Sequence, residues 1–106
     1  MPKFLIKGSY NPEGIKGLLK EGGSSRKAVV EKMVNGLNGK IEGFYYALGE
    51  TDVYVIIDAP NTASIAAISL AVNSTGIVSI TATSLLTAEE LDAASKIKVN
   101  YSPPKA

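Results

Sequence analysis

The segment Gly39–Pro60, GKIEGFYYALGETDVYVIIDAP, decides the fold. Two runs rich in β-branched and aromatic residues, Lys40–Leu48 and Asp52–Ala59, flank the polar turn Gly49-Glu50-Thr51. Such runs on either side of a turn cluster are the sequence signal of a β-hairpin. Side chains of a strand alternate between faces, so Val53, Val55 and Ile57 share one face and Tyr54 and Ile56 the other. A strand apolar on both faces has to be covered twice. Helices of the same chain supply one cover, and a second copy of the chain is the expected source of the other.

Working outward, Lys3–Tyr10 reads as a first strand, and Asn11-Pro12-Glu13-Gly14 as a turn into a short helix, Glu13–Lys20, with Ile15, Leu18 and Leu19 inward. Gly22-Gly23 breaks it. A second helix follows over Ser25–Leu37, capped by Ser24 or Ser25, with Ala28, Val29, Lys32, Met33, Gly36 and Leu37 on its inner side. Asn38-Gly39 ends it, because both residues tolerate a left-handed backbone. Beyond the hairpin, Thr62–Asn73 is a helix without a single charge, Ile77–Leu86 a fourth strand, and Ala88–Lys96 a helix opened by the capping-box pair Thr87 and Glu90. A charge-free helix is expected to lie under another element or another subunit. Residues 1–99 are expected to form one α+β domain, and residues 100–106, with Pro103-Pro104, an extended tail.

The order β-α-β-β-α-β plus a terminal helix predicts a ferredoxin-like fold with a four-stranded antiparallel sheet and both main helices on one side. Phe4, Ile6 and Gly8 then join Val53, Val55, Ile57, Val78, Ile80 and Ala82 under the helices. The opposite face is assigned Lys3, Leu5, Lys7 and Ser9, Phe44, Tyr46 and Leu48, Asp52, Tyr54, Ile56 and Asp58, and Ile77, Ser79, Thr81 and Thr83. Apolar walls with a few polar groups are what a ligand pocket needs. The candidate pocket is therefore walled by Phe44, Tyr46, Tyr54 and Ile56, with Lys7, Asp52 and Thr81 as its polar groups. Lys7 and Asp52 are expected to lie within ion-pairing reach. They are also the candidates for acid or base in a reaction, with Tyr46 or Tyr54 donating to an oxyanion.

Composition narrows the chemistry. The 106 residues suffice for one core, and 45% apolar with 20% charged residues is ordinary globular composition. With neither cysteine nor histidine, disulfides, thiol nucleophiles, imidazole bases and His or Cys metal sites are excluded. No carboxylate cluster suggests a metal, and no cofactor is expected. A net charge of +1, with Arg26-Lys27 as the one adjacent basic pair, gives no footprint for nucleic acid or an anionic membrane. The Met-Pro-Lys-Phe start has no signal-peptide pattern, so cytoplasmic residence is expected.

Several residues resemble the GYD-domain family: Tyr10-Asn11-Pro12-Glu13-Gly14 after the first strand, Ser24-Ser25-Arg26 at a helix start, and Phe44–Asp52 in the hairpin. So do Gly76-Ile77-Val78 and the Thr87-Ala88-Glu89-Glu90 helix start. The chain keeps Gly49 and Asp52 of the hairpin motif and carries Thr51 where the signature has tyrosine. The resemblance implies a dimeric α+β barrel, two sheets packed face to face, and hence a homodimer or higher homo-oligomer. Barrels similar to this one include cofactor-independent monooxygenases, isomerases and ligand-sensing domains. Three functions follow as expectations: binding a small apolar or aromatic metabolite in the barrel, cofactor-independent turnover of such a ligand, or a structural or regulatory subunit whose barrel is filled by side chains.

Overall fold

The computed structural model describes residues 1–105; Ala106, the last residue of the expected tail, lies outside them. Along the chain run β1 (Lys3–Tyr10), α1 (Pro12–Glu21), α2 (Gly23–Gly36), β2 (Lys40–Tyr46), β3 (Val53–Asp58), α3 (Thr62–Asn73), β4 (Val78–Leu85) and α4 (Ala88–Ser95). The strands form one antiparallel sheet in the order β2-β3-β1-β4. This is the ferredoxin-like α+β arrangement. Each helical crossover leaves a one-strand gap, and a strand of the other half fills it.

The helix starts are built locally. Asn11 accepts from the Gly14 amide at 2.8 Å with Pro12 in the first turn, and Asn61 accepts from the Ser64 amide at 2.8 Å. Thr87 and Glu90 close a reciprocal capping box at α4. The start of α2 departs from expectation. Its cap is Gly22 (φ 89°), without a side-chain bond, so neither Ser24 nor Ser25 serves. Asn38 (φ 61°) takes the left-handed turn after α2. Gly39 follows where a Cβ would meet the Asp58 carbonyl and a Val34 methyl at 2.9 Å each.

The core sits on one side of the sheet. Phe4, Ile6, Val53, Val55 and Ile57 meet Val34 of α2 and Ile65 and Ile68 of α3, all buried. The inward stripe of α2 is Val30, Met33 and Val34 rather than the one centred on Ala28, Val29 and Lys32. The run Val29-Val30 with Met33-Val34 offers two overlapping stripes, and contact with the sheet selects the second. α1 also differs: Leu19 is 81% and Ile15 37% exposed, because α1 lies against the end of the sheet instead of on its face. It is seated there by Gly14, the one buried residue of α1.

Two surfaces remain uncovered. One is the sheet face opposite the helices. The other is the C-terminal arm: every residue of α4 is exposed, and so are Leu86, Ile97, Val99 and Tyr101. The arm explains a radius of gyration of 16.9 Å, well above the roughly 13 Å of a compact chain of this length.

Candidate functional site

The open sheet face is ordered by strand register into rows. The middle row runs Tyr45, Tyr54, Lys7, Thr81 across β2, β3, β1 and β4. The next row is Gly43, Ile56, Leu5, Thr83. At one edge Lys3 lies between Asp58 and Leu85, and its ammonium bonds Asp58 at 2.7 Å and Glu42 at 2.6 Å. Those two hydrogen bonds push the Lys3 pKa well above the ordinary lysine value. Leu5 and Ile56 are half-buried, whereas Tyr45 is 68% exposed.

Five of the seven expected pocket residues behave differently from the other two. Lys7, Tyr54, Ile56 and Thr81 share the open face, as alternation requires. Asp52 precedes β3 by one residue, at the end of the loop. Phe44 and Tyr46 do not join them; they lie on the helix side. Phe44 is registered with Val55 and Tyr46 with Val53, both buried under the helices. The reason is the loop. Six residues, Ala47–Asp52, connect β2 to β3, and an even number pairs even positions of β2 with odd positions of β3. Tyr45 therefore takes the open-face place expected for Tyr46. A register shift between Ile41 and Gly43 then returns Ile41 to the helix side as well. Phe44 and Tyr46 stack edge to face there, 5.3 Å apart. The Tyr46 hydroxyl donates to the Gly23 carbonyl at 2.9 Å, and partial burial pushes its pKa up.

Lys7 and Asp52 do not pair either. The strands are antiparallel neighbours as expected, but Lys7 stands opposite Tyr54. The Asp52 carboxylate instead accepts from the Tyr10 amide at 2.8 Å, while its own amide donates to the Gly8 carbonyl. Asp52 thus fastens the end of β1 to the hairpin. Among the described residues the ion pairs are those of Lys3, so Lys7 is a cation without a counterion in the middle of an otherwise uncharged row. No group of three or more carboxylates able to hold a metal occurs among the described residues. No helix among them is long and apolar enough to cross a membrane.

The family model of the GYD domain matches residues 4–95, nearly the whole of the sheet and its helices. The chain belongs to the GYD-domain family. Comparison with curated proteins and with solved structures returned no match. Within this GYD-domain chain, the hairpin motif around Gly49 and Asp52 has a structural duty. Gly49 supplies a positive φ of 132° in the loop, and Asp52 ties that loop to β1. Sequence reading had no means of assigning Tyr45, since loop length, not composition, decides its face.

Proposed function

We propose that this GYD-domain protein is a small-molecule-binding homodimer in which two open sheet faces pack together. The ligand is an apolar or aromatic metabolite carrying an anionic or carbonyl oxygen, held by Lys7 between walls of Tyr54, Tyr45 and Ile56. The reading rests on one observation: the unpaired cation Lys7 at the centre of the Tyr45–Tyr54–Lys7–Thr81 row. Sheets packed face to face stand about 10 Å apart, so a partner sheet strips water from that row. Leu5, Tyr54 and Ile56 gain by it, on the order of 1.5–3 kcal/mol for each side chain fully covered. Lys7 loses by it, because a buried ammonium without an acceptor is costly. Glu42 and Asp58 hold Lys3, and Asp52 holds the Tyr10 amide, so none of these three pairs with Lys7. An acceptor brought by a ligand resolves the conflict. Binding is favoured over turnover for the same reason, since Asp52, the carboxylate expected as base, is committed to main chain. The exposed apolar side chains of the C-terminal arm offer the partner copy a second surface.

Sedimentation at micromolar concentration, joined to native mass spectrometry of protein from its own host, tests the reading. The expected result is a dimer that retains a small molecule, lost in Lys7→Met with the dimer intact. Ile56→Glu is expected to give folded monomers. A monomeric wild type refutes the proposal. A dimer with nothing bound, made more stable by Lys7→Met, supports the side-chain-filled barrel instead.

A further inference from the structure

We infer that the helix side of the sheet holds a second ligand site, for an apolar monocarboxylate anchored on Arg26. It is separate from the open face and does not depend on dimerisation.

Two spaces meet there. The inner one, about 90 Å³, lies between α2, α3 and the sheet and is walled by Ile6, Val30, Phe44, Ile68, Val72 and Ile80. The outer one, about 580 Å³, lies between α1, α2, the end of α3 and the start of β4. A groove of that volume is in the ordinary range for small-molecule pockets. Tyr10, Arg26, Met33, Val72 and Val78 border both spaces and form the neck between them. The inner space has room for a ring or a short alkyl chain and is apolar except at that neck.

The neck carries the specificity. Arg26 is the one basic residue lining either space, and no carboxylate lies within 4 Å of it among the described residues. A guanidinium takes a carboxylate in a two-point hydrogen bond, the geometry for a head group whose tail points inward. The Tyr10 phenol stands beside it; burial raises its pKa while Arg26 opposes the rise, so it stays a neutral donor at physiological pH. Glu13 and Glu21 line the outer groove. These two carboxylates add repulsion for every further negative charge, so a dianion such as a phosphate ester is disfavoured relative to a monocarboxylate on the single guanidinium.

The test uses the full chain, methyl-labelled, with phenylacetate as probe. Saturable shifts of the Met33, Ile68 and Val72 methyl signals are expected. Arg26→Gln is expected to weaken binding at least tenfold with the spectrum of the fold unchanged. On the unaltered protein the neutral 2-phenylacetamide is expected to bind at least tenfold more weakly than phenylacetate, and phenyl phosphate not to compete. Lys27→Gln, at an exposed basic neighbour of Arg26 that lines neither space, is expected to leave these shifts as they were. The inference is overturned by the absence of saturable shifts at these methyls, by equal binding of acid and amide, by competition from phenyl phosphate, or by loss of these shifts in Lys27→Gln.

Discussion

Two glycines of one helix separate a packed position from a free one. A Cβ built on Gly14 would lie 2.9 Å from an Ile77 methyl, 3.0 Å from the Ile77 carbonyl oxygen and 3.1 Å from the Tyr10 ring. The methyl can rotate away. The carbonyl cannot, because it accepts from the Asn11 amide at 2.9 Å and so holds the start of α1 to the start of β4. Gly14→Ala must push α1 off the sheet end, an overpacking cost of about 1–3 kcal/mol. Better helix propensity returns up to about 1 kcal/mol. The net expectation is a loss of about 1–2 kcal/mol. Gly17, one turn along, has nothing within 4 Å of its own Cβ position. Gly17→Ala is expected to stabilise by about 0.4–1 kcal/mol through the unfolded chain. Urea unfolding at one fixed subunit concentration measures both, since association adds to apparent stability. With a slope of roughly 1–3 kcal/mol per molar, the Gly14→Ala midpoint falls by about half a molar or more, and the Gly17→Ala midpoint rises slightly. Two midpoints that rise together would refute the seating of α1, and with it the wall α1 gives the outer groove.

Three further outcomes follow from the geometry. Asp52→Ala, which leaves the Tyr10 amide without its charged acceptor, is expected to cost about 1.5–3 kcal/mol in the same unfolding assay. Asp52→Asn keeps an acceptor and is expected to cost clearly less; equal losses would remove the bond to Tyr10 as the role of Asp52. Tyr46→Phe is expected to cost about 0.5–1.5 kcal/mol through the lost bond to Gly23, against a change within about 0.5 kcal/mol for the exposed Tyr45→Phe; the reverse ranking would undo the hairpin register. Hydrogen bonds from the Thr87 amide and hydroxyl lower the Glu90 pKa. The capping box therefore contributes fully above the unfolded-state value, and its contribution is lost as the pH falls through the lower folded-state value. Carbon chemical shifts over Ala88–Ser95 are expected to lose helical character at the acid end of that window, and helix retained until the sheet itself unfolds would contradict it.

Most of the architecture is present in the sequence because it depends on local pattern. Asn11 and Thr87 stand at the helix starts that local pattern marks, and the structure uses both as caps. The alternation of Phe4 with Ile6, and of Val53, Val55 and Ile57, assigns the buried faces of β1 and β3 without knowledge of any neighbour. The split order of elements then leaves the ferredoxin-like sheet as its natural solution. What the tertiary structure alone decided is parity and partnership. The six-residue connection turned Phe44 and Tyr46 under the helices and Tyr45 out, reversing the face of β2 without changing a residue. Two overlapping stripes on α2 are equal in sequence, and only the sheet beneath chose Val30 and Val34. Asp52 found an amide rather than Lys7, because the chain end of β1 offers a donor that no side-chain pattern announces. The neck around Arg26 belongs to the same class. It joins residues from β1 and α2 with the edges of α1, α3 and β4, and side chains so far apart in sequence acquire a common chemistry only when packing brings them together.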